Sequence, residues 1–202
     1  KLFPSRYFVH TNEFRKISPT AKRGGDPTQM KSFTKKLMVR AIERAKAGKP
    51  NRFSRIMQEL VPFNRAHRIS VTEISPNGCE VSIPYRRRNL NHLGTMHACA
   101  IAAAGEYVSG LNVIEAFDIS EFRLILSRLE VDYIRRPIGS CTAKSSWPDE
   151  LLDKLKTSLN SEGVATFVLT AKLMDSKSEH VATTTSHWQV KSWDKVRERS
   201  RA

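Results

Sequence analysis

The stretch from Asn89 to Ile114, NLNHLGTMHACAIAAAGEYVSGLNVI, constrains this chain more than any other. Charged residues make up 27% of the 202-residue sequence, yet these 26 positions carry one formal charge, Glu106. From Thr95 onward, Met96, Ala98, Ala100, Ile101, Ala102, Ala103, Ala104, Tyr107 and Val108 are small or apolar in every helical direction. Alanine is the best helix former, Thr95 is a good N-cap, and Gly110 is a natural stop. A helix that is apolar all round is buried, not laid on a surface. The pattern predicts a short buried helix, fed by a polar loop over 89–95, with one carboxylate part-way along it. Burying a carboxylate is costly, so Glu106 needs a reason to be there.

Alternating and helical periodicities on either side define the rest of the domain. Phe53–Val61 reads as an amphipathic helix with Pro62 just beyond it. His67–Ile74 and Cys79–Tyr85 alternate as half-buried strands, and Pro76-Asn77-Gly78 makes the turn between them. Leu124–Ile134 is a long strand ending at Arg135-Arg136-Pro137, and Ser140–Ser145 is a short one. Asp149–Leu159 is a helix stopped near Gly163, followed by strands over Val164–Met174 and Val181–Val190. Strands grouped in this way around one helix predict an α+β fold with an antiparallel sheet.

Charge is divided unevenly along the chain. The net charge is +14, and residues 1–70 hold 17 Lys and Arg against 4 Asp and Glu, whereas residues 71–202 hold 17 against 16. The first 30 residues contain prolines and Gly24-Gly25 without sustained periodicity, and Lys31–Lys46 reads as a basic helix ended by Gly48-Lys49-Pro50. Such an arm needs an acidic or polyanionic partner to hold it: RNA, an anionic membrane surface or acidic neighbouring subunits. Phe3, Tyr7, Phe8 and Phe14 are interleaved with these charges and would serve equally as anchors in a protein groove. Cys79, Cys99 and Cys141 are odd in number and lack metal-ligand spacing, which points to a reducing compartment, no disulfide framework and no metal. No apolar run reaches the length of a membrane span. The chain starts at Lys1, not Met, so residues are expected to have been removed before it. A processed start beside a basic arm points to mitochondrial import, with the cytosol as the other location.

The Asn89–Thr95 loop with its small-residue helix, RRRNLNHLGTMHA before and within them, the tyrosine–arginine–proline end of the third strand and the closing GVATFVLTAKLMDSKSEHVATTTSHWQV resemble the hotdog fold. The nearest branch is the single-hotdog acyl-CoA thioesterases of the phenylacetate-pathway type and a related uncharacterised group. This resemblance implies an antiparallel sheet wrapped around a buried central helix. It divides the chain into a basic N-terminal arm over residues 1–50, a hotdog domain over 51–193 and a charged tail over 194–202. The pattern of these thioesterases is an Asn, a His six residues later and an acid nine beyond that, matched here by Asn91, His97 and Glu106.

The resemblance implies hydrolysis of an acyl-CoA thioester, with coenzyme A entering as substrate and no separate cofactor. Glu106 would be general base or nucleophile, and Asn91 would orient water or the carbonyl. Backbone N–H groups of His97 and Ala98 would form the oxyanion site. Arg86, Arg87, Arg88, Arg135 and Arg136 are candidates for the coenzyme A phosphates. Nine residues at about 100° each put His97 and Glu106 on opposite helix faces. The two cooperate only across a homodimer, or a pseudo-dimer with another hotdog chain. One departure stands out: the family places glycine at or just after the oxyanion position, where this chain has Ala98-Cys99. A second reading is therefore carried forward, a non-catalytic hotdog-derived subunit of a large mitochondrial assembly, respiratory complex or ribosome, anchored by residues 1–50.

Overall fold

The computed structural model describes residues 40–43, 47, 49–118, 121–148 and 150–195. The arm expected over 1–50 and the tail after Lys195 lie almost wholly outside the described residues; within the basic helix expected over Lys31–Lys46, residues 40–43 are helical.

Two short helices open the domain, α1 (Pro50–Leu60) and α2 (Pro62–His67), each with a proline in its first turn. A proline is at home there, because the N–H it lacks would have no partner within the helix. Pro62, read from sequence as lying past a helix end, thus starts a second helix and draws His67 out of the expected strand. The hairpin follows as β1 (Ser70–Ser75) and β2 (Gly78–Ile83), turning at Pro76-Asn77. A register shift between Val71 and Glu73 interrupts the pairing, and there the Val71 N–H donates to Ser54 Oγ of α1 at 3.0 Å.

The remaining elements are α3 (Ala98–Ala116), β3 (Phe122–Tyr133), β4 (Cys141–Ser145), α4 (Leu151–Glu162), β5 (Val164–Asp175) and β6 (His180–Ser192). Helix α3 is longer than its sequence predicts. Gly110 does not stop it but lies inside it, where a Cβ would come 3.4 Å from the Trp188 ring. Nor is Thr95 its cap; the helix begins from His97.

All strands pair antiparallel in the order β1-β2-β4-β5-β6-β3. Helix α3 packs against every one of them, so the sheet curls around it. The residues of β6 that face inward beside the first half of α3 are small: Ala182, Thr184 and Ser186. Facing them, Gly105 brings backbone against the sheet, and a Cβ there would lie 2.4 Å from Thr184 Oγ1 and Cγ2. Further along, Phe167, Leu169 and Trp188 form a second part of the core with Leu155 and Leu159 of α4. Trp188 Nε1 donates to Ser109 Oγ at 3.0 Å, which fixes the angular position of α3. Strand β3 closes the sheet, and its outer edge, 12 residues long, pairs with no other strand among the described residues.

Gly105→Ala is expected to lower stability by about 1–3 kcal/mol in urea unfolding, because the new methyl overpacks a buried contact. Adding Thr184→Ala should restore part of that loss. Additive losses would show that the two positions are not in contact.

Candidate active site at the start of the central helix

The loop that feeds α3 is held from both ends by asparagines. Asn89, fully buried, closes a 3-10 turn over Arg87–Asn89 and donates through Nδ2 to the carbonyls of His67 and Pro84, each at 2.9 Å. Its Oδ1 lies 2.9 Å from His67 Nδ1, and since the amide nitrogen is already committed to two carbonyls, His67 carries its proton on Nδ1. The Asn89 carbonyl accepts the His97 N–H at 2.8 Å. Asn91 is turned into the loop. Its Oδ1 accepts the N–H groups of Leu93 at 2.9 Å and Thr95 at 3.2 Å, while Nδ2 donates to Thr95 Oγ1 at 2.9 Å. The Tyr85 hydroxyl donates to the carbonyl of Gly94 and ties the loop tip to the end of β2.

At the helix start, His97 Nδ1 accepts the N–H of Cys99 at 3.1 Å, so its ring proton sits on Nε2 and the ring serves as cap. The His97 carbonyl takes the N–H groups of Ala100 and Ile101. With the His97 N–H held by Asn89, the Ala98 N–H is the first-turn donor left without a partner among the described residues. Of the oxyanion pair expected from sequence, Ala98 keeps a free donor and His97 does not. Tyr133, at the end of β3, donates its hydroxyl to the Ala98 carbonyl at 2.9 Å. Burial and the neighbouring Cys99 thiol both raise the Tyr133 phenol above its ordinary range.

Helix α3 is not enclosed on every side. Cys99, Ala102, Ala103 and Glu106 recur at the spacing of one helical stripe and are all exposed or half-buried, whereas the rest of the helix as far as Val113 is buried after its first turn. The curled sheet leaves this stripe uncovered. Glu106 is the carboxylate on it, and burial pushes its carboxyl up to about 6 from an ordinary 4.5. No cation among the described residues pairs with it. Exposed Tyr85, Leu93, Tyr133 and Ile134 surround the same end of the molecule.

The arginines separate into different surroundings. Arg86 and Arg88 line a cavity of about 620 Å³ together with Arg65 and Arg68. Arg135 is ion-paired with Glu179. Arg86 is half-buried, and Arg87, Arg88, Arg135 and Arg136 are exposed. Cys79 and Cys141 are buried free thiols and Cys99 is an exposed one, and no cluster among the described residues has the make-up of a metal site.

Sequence reasoning passed over Asn89 and Tyr133. Tyr133 stood in the strand end that carried the resemblance. Asn89 had no signal to separate it from Asn91 two residues on.

The curled antiparallel sheet around one central helix is the hotdog fold, and the solved structures it resembles include proteins described as thioesterases. Residues 49–190 match the family described as a domain of unknown function, DUF4442, and the chain belongs to that family. Among solved structures, a Pseudomonas aeruginosa protein, PA5026, described as of unknown function and a probable thioesterase, is 23% identical with a TM-score of 0.64, over 74% of this chain and 95% of that one. A mutant of thioesterase PA1618 from the same organism is 13% identical with a TM-score of 0.56, over 75% and 94%. A thioesterase family protein from Silicibacter pomeroyi is 14% identical with a TM-score of 0.55, over 69% and 96%. At these identities the likeness is one of fold. No curated protein matches the chain.

The raised carboxyl of Glu106 predicts a pH signature. Its folded value of about 6 exceeds the unfolded 4.5, so its contribution to stability is full below pH 4.5 and is lost as pH rises through 6. The loss is about 2 kcal/mol. Glu106→Gln should therefore gain on the parent by about that amount between pH 4.5 and 7.5 in urea midpoints. A constant difference across that range would mean that Glu106 titrates normally.

Proposed function

We propose that this chain is a thioester hydrolase acting on acyl-CoA as a dimer, with Glu106 as general base. The observation that carries this reading is Glu106 itself, half-buried on the open stripe of α3, raised toward neutrality and without a cation among the described residues. A carboxylate kept for structure at such a depth would normally be paired. With a value near 6 it is ionised at pH 7 and a better proton acceptor than an ordinary glutamate. The thioesterase descriptions of PA1618 and the Silicibacter pomeroyi protein support the reaction class at the level of fold.

In this mechanism water attacks the thioester carbonyl carbon while Glu106 takes one of its protons. The Ala98 N–H, at the positive end of α3, stabilises the oxyanion. Collapse of the tetrahedral intermediate breaks the C–S bond, and the departing thiolate takes up the proton, leaving a carboxylic acid and coenzyme A. His97 and Asn91 are positioning residues: the first caps the helix so that Ala98 points outward, and the second holds the loop closed.

Glu106 lies eight residues beyond the Ala98 N–H, about 12 Å along the helix, so each reaction centre takes its base from one copy and its oxyanion donor from another. The open stripe of α3, the free edge of β3 and the exposed Leu93, Tyr133 and Ile134 support docking of a second hotdog domain there. One observation favours the non-catalytic alternative, an assembly subunit held through residues 1–50. His97 occupies the Cys99 N–H with its own ring, leaving a single donor where the related enzymes have a glycine.

Purified protein should hydrolyse at least one of a short, a long and an aryl acyl-CoA, and Glu106→Gln should lower kcat by about 10²–10⁴-fold with little change in KM. A folded dimer inert toward all three would sink the enzyme reading. Ala102→Arg should convert a sedimenting dimer into monomer and abolish turnover together. A monomeric parent would remove the two-copy site.

A further inference from the structure

Strand β3 carries one residue more than its pairing needs. As far as Leu126 it runs beside β6 in one register, with Leu124 opposite Val190 and Leu126 opposite Trp188. From Arg128 on the register is shifted by one, and Tyr133 stands opposite Ala182. Ser127 is the extra residue, and its Oγ donates to the His187 carbonyl at 3.0 Å across the bulge. Side chains alternate along a strand, so one inserted residue exchanges its two faces. Ala182 and Thr184 face inward, which turns Tyr133 and Val131 to the helix side, and Val131 packs on the core there. Without the bulge, Asp132 would stand opposite Ala182 and Tyr133 would point to the outer face. The backbone just beyond is pinned as well, because the N–H groups of Ile134 and Arg135 both donate to the Val181 carbonyl. Bulges recur beside active sites, where they re-aim one side chain.

The side chain so aimed ends at the start of α3. Its hydroxyl donates to the Ala98 carbonyl at 2.9 Å, an oxygen that the helix ladder already supplies with the Ala102 N–H. The hydroxyl can therefore turn to another acceptor without orphaning that carbonyl. Tyr133 is 50% exposed, so its ring is free to make such a turn. An oxyanion site built from preorganised donors loses about 10²–10³-fold in rate when one of them is removed. Here the backbone supplies only the Ala98 N–H, since the neighbouring N–H groups are taken by Asn89 and by the His97 ring. Other donors around the loop are committed or misdirected. The Thr95 hydroxyl is held by Asn91 and the Tyr85 hydroxyl by Gly94. The Nε2–H of His97 faces away, because Nδ1 is turned toward Cys99 and the two ring nitrogens point nearly opposite ways.

We infer that the Tyr133 hydroxyl is the second oxyanion donor, acting with the Ala98 N–H of the same copy on the thioester carbonyl. This rests on the hydrolase reading and adds a catalytic residue to it. Two donors at about 2.9 Å from one oxygen sit no more than about 6 Å apart, and Tyr133 already touches the residue whose N–H it would join. As water adds to the carbonyl carbon, the hydroxyl exchanges a neutral acceptor for a negatively charged one, which is the stronger partner. The proton stays on Tyr133 throughout. Burial and the Cys99 thiol raise the phenol, so it remains a donor at the pH where Glu106 is ionised and serves as base.

The test is steady-state hydrolysis of short, long and aryl acyl-CoA by the parent and by Tyr133→Phe, with thermal midpoint and sedimentation measured on the same samples. The variant should lose about 10²-fold in kcat, keep KM within about twofold, and match the parent in midpoint and oligomeric state. A hydroxyl that only braces the Ala98 carbonyl would lower the midpoint and leave kcat near the parent's, which overturns the inference. A fall in kcat that comes with loss of the dimer overturns it too, as does a variant within about threefold of an active parent. These three results leave the hydrolase standing. A parent inert toward all three substrates removes the hydrolase and this residue's role together, so the parent's own activity tells the two failures apart.

Discussion

The close approach of α3 to the sheet at Gly105 and Thr184 is the contact on which the remaining geometry depends. With no side chain on the helix at that point, backbone meets β6 directly, and the sheet curls until all six strands touch the helix. The inward residues of β6 then have to be small, and two of them, Thr184 and Ser186, bring hydroxyls that have no hydrogen-bond partner among the described residues. Each such group costs about 1–3 kcal/mol, so the close contact is kept against an opposing force. Where α3 moves past Gly110, Trp188 and Phe167 take over and α4 fills the widening gap.

A helix gripped this tightly on one side is left bare on the other. The bare stripe consists of Cys99, Ala102, Ala103 and Glu106, three small residues and one acid. Small residues leave room for another backbone to come near, and the acid is half-buried before anything covers it. The raised carboxyl of Glu106 is thus a direct outcome of the fold's asymmetry, since the sheet desolvates Glu106 from one side and offers it no cation.

Periodicity made most of the sheet readable. The alternation in β5 and β6, the Pro76-Asn77 turn and the Gly163 stop gave the strands to within a few residues, because each depends on neighbours in sequence. Features set by distant neighbours were not readable. Gly110 reads as a stop, whereas its missing Cβ serves the Trp188 contact, and the same residue type satisfies either need. Thr95 and His97 are both competent caps, and the choice falls to His97 because Asn91 has already engaged Thr95. The open stripe is invisible to composition, which sees alanines all round and predicts burial on every face.

The partition of charge depends on where the chain is divided. Counted to residue 70, nearly all of the +14 belongs to the N-terminal third; counted to residue 50, that segment holds 13 Lys and Arg against 3 acids, and residues 51–202 keep a surplus of four. Arg52, Arg55, Arg65 and Arg68, set against Glu59, account for the difference, and they sit on α1, on α2 and at the cap that ends α2. A tail that neutralises phosphates by counterion release loses affinity steeply with salt. Arginines carried on a folded scaffold can add directed hydrogen bonds to an anion, and part of that interaction survives screening. The excess charge thus has two settings in the sequence: most of it lies in residues 1–50, and the remainder of the N-terminal surplus is carried on α1 and α2.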